Sequence, residues 1–213
     1  RMKLIGRTTI KIHSKEECQD KCKELVDYAK ENSPDNDPRF FDVMTNGSTL
    51  LTNILFAKGG ENASKNFMDA FIESRAEELY REFLSPDYIS QVELQRSVTN
   101  LYINCFTCEH ISVINELVRN GVVAKLMSTF EAAKDLEVIT NIIWAIKNAL
   151  TDNNEVRDEL AKEQFPAKLH HKLQELESDI RDSESLADSL IHNIQEFCCS
   201  YVKVKPHLGF SGV

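Results

Sequence analysis

Glycine and proline are scarce, at 7 and 5 of 213 residues. An all-β sandwich or barrel needs a turn signal roughly every 8 to 12 residues, so that class is excluded and a mostly helical chain is expected. Basic charge is also in deficit: 25 lysines and arginines stand against 34 acidic residues, for a net charge of −9. Phosphate backbones are held by clustered cations, so nucleic acid is not an expected partner, and a basic ligand fits better. No apolar run approaches the roughly 18 residues of a membrane span, so membrane insertion is not expected. The opening RMKLIGRTTIKIHSKEE lacks an apolar segment followed by a cleavage site, which points to the cytoplasm, with the nucleus as a second address. Because the chain opens on Arg1 and not on methionine, further sequence is expected before it.

Catalytic signatures are missing as well. There is no GxGxxG, HExxH or GxSxG, and Gly59-Gly60 lacks the lysine that completes a phosphate loop. Cys105-x-x-Cys108 with His110 has zinc-ligand types, but no second pair completes a tetrahedral set. A non-catalytic protein with no metal and no cofactor is expected. The six cysteines read as reduced thiols, since 42% hydrophobic residues can build a core without disulfides. Cys18 and Cys22, one helical turn apart, read as chance cysteines on a surface helix.

What is present is a repeat. An acidic residue, then marked positions at steps of 3, 4 and 4 ending in asparagine, recurs four times: Asp42, Thr45, Thr49, Asn53; Glu93, Arg96, Asn100, Asn104; Glu137, Thr140, Trp144, Asn148; and Asp182, Ser185, Ser189, Asn193. Those steps keep each set on one stripe of an α-helix. Relative to each asparagine, positions −3, −2 and +1 are Leu50, Leu51, Ile54; Leu101, Tyr102, Cys105; Ala145, Ile146, Ala149; and Leu190, Ile191, Ile194. These twelve residues predict a buried face in every copy. Between the asparagines the chain reads as a short helix, a second helix and the long striped helix. Asn120-Gly121 breaks one junction, Asn153 or Asn154 caps the next helix, and Pro166 sits in a first turn. Residues 1–38 read as an N-terminal capping or incomplete repeat, with an amphipathic helix starting at a Ser14 cap, and residues 39–213 as the repeat domain.

The stretch NELVRNGVVAKLMSTFEAAKDLEVITNIIWAIKNAL resembles the armadillo repeat, whose period is about 40 to 47 residues. In that family a helix ends at a glycine and a third helix ends in Trp-Ala-Leu-Ser-Asn; here the ending is Trp144, Ala145, Ile146, Lys147, Asn148. The resemblance implies an all-α fold, a right-handed superhelix of about four three-helix repeats. It further implies that the third helices line a concave groove holding a protein or peptide partner. A carboxamide can donate to and accept from an extended main chain, so Asn53, Asn104, Asn148 and Asn193 would form a clamp ladder. Trp144 would wall the stem of a basic side chain, with cation–π attraction of about 0.5–2 kcal/mol. Asp42, Glu93, Glu137 and Asp182 would meet its charge, with Asn100 and Thr140 on the same stripes. Arg96 adds positive charge there and is expected to repel lysine-rich ligands.

The function expected is a non-catalytic adaptor, scaffold or regulator that binds an extended segment of basic character. An open solenoid end offers a route to a homodimer. Two alternatives share the same residues: a nuclear-import adaptor for basic localisation signals, and a regulatory armadillo domain, GTPase-binding or autoinhibitory, of a larger cytoskeletal protein. Import adaptors carry tryptophan in most repeats, whereas the matching positions here are Thr49, Asn100 and Ser189.

Overall fold

The structure is a computed structural model that describes residues 14–55, 63–107, 110–151, 153–177, 180 and 184–203. Among these the secondary structure is entirely helical, with no strand. The chain divides into two compact units, residues 1–80 and 81–213.

The first unit contains α1 (Lys15–Glu31), α2 (Phe40–Leu55), α3 (Ala63–Glu73) and the start of α4 (Ala76–Phe83). The α1 helix begins as predicted: the Ser14 hydroxyl accepts from the Glu17 N–H and the Glu17 carboxylate accepts from the Ser14 N–H, each at 3.2 Å. This reciprocal pair satisfies two amides that the first turn leaves open. Cys18 and Cys22 are buried in α1 beside Leu25 and Val26, which corrects the surface reading. A thiol is a small apolar group when buried, and burial pushes the Cys22 thiol up to about 12. On α2, Gly47 is a site of close approach. A β-carbon there would collide with the Tyr80 hydroxyl and Leu25, and the same hydroxyl donates to the Met44 carbonyl at 3.1 Å.

The second unit continues with a short 3₁₀ turn (Pro86–Tyr88), then α5 (Val92–Cys105), α6 (Ile111–Arg119), α7 (Val122–Ala132), α8 (Leu136–Leu150), α9 (Asn154–Lys162), α10 (Phe165–Glu175) and α11 (Glu184–Lys203). The order short, second, long occurs twice in full after α5, with the predicted Asn153 cap accepting from the Glu155 and Val156 N–H groups and Pro166 in the first turn of α10. The three long helices α5, α8 and α11 pack side by side, with α8 in the middle. Phe130 of α7, Phe165 of α10, and Phe197 and Tyr201 of α11 run as a chain of rings with successive centroids 5.2, 5.6 and 5.8 Å apart, spacings typical of favourable aromatic pairs. No helix among the described residues is long and apolar enough to cross a membrane.

Three junctions between a short helix and the helix that follows it share a left-handed residue. Gly121 has φ of +86° between α6 and α7, Gln164 has +54° between α9 and α10, and Arg75 has +66° between α3 and α4. A left-handed residue lets the chain leave one helix and start the next at once, and glycine takes that conformation without steric cost. Only one of the three junctions is marked by glycine.

Candidate functional site

Two residues before the stripe of α8 stands the N-cap of the helix. The Asp135 side chain accepts from the Val138 N–H at 3.0 Å, closing the first turn of the helix. Arg96 of α5 reaches across and meets the same carboxylate twice, at 3.0 and 2.6 Å. It also pairs with Glu137 at 3.2 Å and, within its own helix, Glu93 at 3.1 Å. Such a planar two-pronged contact is among the stronger polar interactions available to a protein. The hydrogen bond to Asp135 raises the Arg96 guanidinium further above its ordinary range, against the opposing effect of burial. Burial opposes charge on Asp135, and the bonds from Arg96 and the Val138 N–H outweigh it, holding the carboxyl below the usual aspartate value. Arg96 is thus not a free cation repelling a basic ligand. It is a joint between α5 and α8, surrounded by three carboxylates, and the local balance is negative.

Farther along the seam the polar residues also turn inward. The Asn148 amide donates to the Ile103 carbonyl of α5 at 3.2 Å, one of the last carbonyls of that helix, which have no partner within it. Asn141 donates to the Arg96 carbonyl at 3.4 Å and the Thr99 hydroxyl at 3.3 Å. Asn104 is buried and donates to the Asn100 carbonyl at 2.7 Å. Thr140 is buried and donates to the Leu136 carbonyl at 2.7 Å. Asn193 is buried in α11. Glu93 and Asn100 are exposed on α5, Glu137 is half-buried at the α5–α8 seam, and Asn53 is exposed on α2 in the first unit. Asp182 lies outside the described residues.

Trp144 is the exception among the large apolar side chains of α8, 41% exposed while Ile142, Ile143, Ala145 and Ile146 are fully buried. The Lys147 ammonium stands 5.9 Å from its ring centroid and is held by Glu196 of α11 at 2.7 Å. The structure therefore brings together Glu93, Arg96, Asp135 and Glu137 at one end of α8, and Trp144, Lys147 and Glu196 toward the other. Lys147, Asp135 and Asn141 were not singled out by the stripe. Asp135 had a readable signal, as an acidic N-cap directly before an apolar run; the other two reach their partners only through packing.

A depression of about 230 Å³ lies between α7 and α10, lined by Phe130, Glu131, Lys168, His171, Lys172 and Glu175. Its cations are already engaged. Lys172 donates to the Glu131 and Ala133 carbonyls at 2.8 and 3.2 Å, capping α7, and Lys168 pairs with Glu131 at 2.7 Å. The predicted buried face also holds unevenly: in α11 Ile191 is 48% exposed, a correction to the reading of twelve equivalent core positions. Cys108 of the Cys-x-x-Cys pattern lies outside the described residues, Cys105 is buried, and among the described residues no group of three or more His, Cys, Asp or Glu is placed to hold a metal ion. No family model, no curated protein and no solved structure matches the chain.

Proposed function

We propose that this chain is a non-catalytic, armadillo-like interaction module that binds a protein segment over the surface shared by α5, α8 and α11. The observation that carries the reading is Trp144. It is a large aromatic residue on the middle of three adjacent long helices, and much of its surface faces solvent where its neighbours along α8 are fully buried. Burying such a ring is what a binding hot spot needs, because aromatic anchors supply most of the affinity in many interfaces. The three carboxylates around one guanidinium at the α5–α8 seam, and the net charge of −9, favour a partner with basic groups.

The chain holds a single tryptophan, so its emission reports on this position alone. Panning a displayed random-peptide library on the wild-type chain and on Trp144→Ala gives the test. A set of peptides that binds the first, shifts its emission, and loses at least about tenfold on the second is expected, a loss of roughly 1.4 kcal/mol. The absence of any Trp144-dependent set overturns the proposal.

A further inference from the structure

We infer that the segment bound on this surface is an amphipathic helix, bringing an apolar side chain to Trp144 and a basic side chain to Glu93 and Glu137. The inference rests on the binding surface proposed above and concerns the conformation and chemistry of its occupant. An extended segment carries a bare N–H and C=O at every residue, and these must find partners when water is displaced. Most of the carboxamides that would meet them are out of a ligand's reach or partly engaged within the chain. Asn104 and Asn193 are buried, one amide N–H of Asn104 is given to the Asn100 carbonyl at 2.7 Å, and one of Asn148 to the Ile103 carbonyl at 3.2 Å. A helix satisfies its own backbone and asks only for side-chain contacts, as helix-in-groove recognition does.

The chemistry of the anchor follows from Lys147. Its ammonium already stands over the indole at 5.9 Å, neutralised by Glu196 at 2.7 Å, and its side chain is only 17% exposed. A cation is thus already supplied to Trp144 by the chain itself, so an apolar group is the better match for the ring surface that remains exposed. Cationic groups of a partner find their counter-charge two turns away, where Glu93 is 79% exposed and Glu137 45% exposed. Trp144 and Glu137 are seven residues apart on α8, about 10 Å along the axis, a separation matched by side chains seven apart on a second helix.

The experiment takes the Trp144-dependent peptides from a library of roughly 16-residue sequences, long enough for about four helical turns. Expected are apolar residues at helical spacing with a lysine or arginine about seven positions from the anchor. A proline placed mid-peptide should weaken binding by about 100-fold or more, the factor for a helix-interior proline. Trp144→Phe should retain binding, since it keeps an apolar ring, with far-UV circular dichroism checking that each variant remains helical. Peptides that alternate with period two, tolerate the proline and share a lysine or arginine at the Trp144-dependent position would overturn the inference and leave the binding surface standing. Failure to find any Trp144-dependent peptide would overturn both.

Discussion

Helices α8 and α11 carry the same stripe, with Asn148 and Asn193 in register 45 residues apart, yet their outward faces differ. On α8, Ile143, Ile146 and Leu150 are fully buried. The positions in register on α11 are Asp188, Ile191 and Gln195, and all three are exposed. The buried residues of α11 are Leu190, Asn193 and Phe197. The stripe periodicity makes the helix, while the neighbours decide which face is core: α8 lies between two long helices, whereas α11 packs on α8 alone among the long helices α5 and α8. Two of the three outward substitutions are polar, which lowers the cost of leaving that face in water.

The largest effect is expected from exchanging the residues. Ile143→Asp writes the α11 residue into α8 at a fully buried site, where an unpaired carboxylate costs at least about 3–5 kcal/mol. Urea denaturation followed by circular dichroism should show a correspondingly large drop in midpoint. A loss under about 1 kcal/mol would mean that the α8 face is not the packed core described here.

Next comes the joint that holds α5 to α8. Arg96→Ala removes a two-pronged contact to Asp135 and leaves three carboxylates facing one another, at a cost of roughly 1.5–3 kcal/mol near neutral pH. The pH dependence has a definite sign. The Asp135 carboxyl is held below its ordinary value in the folded chain, so its contribution is fully present above the ordinary aspartate range near about 4 and is lost as pH falls through the lower folded value. The gap between wild type and Arg96→Ala should therefore narrow in acid. Denaturation midpoints measured at neutral pH and near pH 3 check this, and a gap that widens in acid would contradict it.

How much of this was legible beforehand depends on what periodicity can encode. The 3-4-4 spacing located α2, α5, α8 and α11, and Ser14, Asn153, Gly121 and Pro166 marked boundaries where the helices begin or end, because caps and left-handed turns are local chemistry. Periodicity could not say whether a polar stripe faces solvent or a neighbouring helix. Thr140 and Asn104 bond back to their own helices, and Asn148 reaches across to α5; such partners exist only once helices pack. The Arg75 and Gln164 junctions were missed for a related reason. Their left-handed backbone stands between two helices with no glycine to announce it.

That junction gives a smaller and cleaner test of whether the helix triplets α6–α8 and α9–α11 are built alike. If Gln164 holds the conformation that Gly121 holds, Gln164→Gly should stabilise the chain by about 0.5–1 kcal/mol, relieving a non-glycine left-handed residue, while Gly121→Ala should cost about 1 kcal/mol. Opposite signs at two equivalent positions are the expected outcome of paired thermal melts. Equal signs would mean that the junctions are alike only in dihedral angle.

The smallest effect on stability is expected at the exposed face of α11, and it is informative because a second measurement moves with it. Asp188→Ile with Gln195→Leu writes the α8 residues into α11, where both sites are exposed, so each change should alter folding stability by no more than about 0.5 kcal/mol. Together with the existing Ile191 and with Val202, 48% and 67% exposed, they would create a continuous apolar strip along α11. Contiguous exposed apolar surface drives association, so sedimentation velocity should show self-association in the double variant at concentrations where the wild type does not change. A variant that stays unchanged in sedimentation would mean that the polar residues on α11 are incidental to keeping that face in water, and the contrast with α8 would then be one of packing alone.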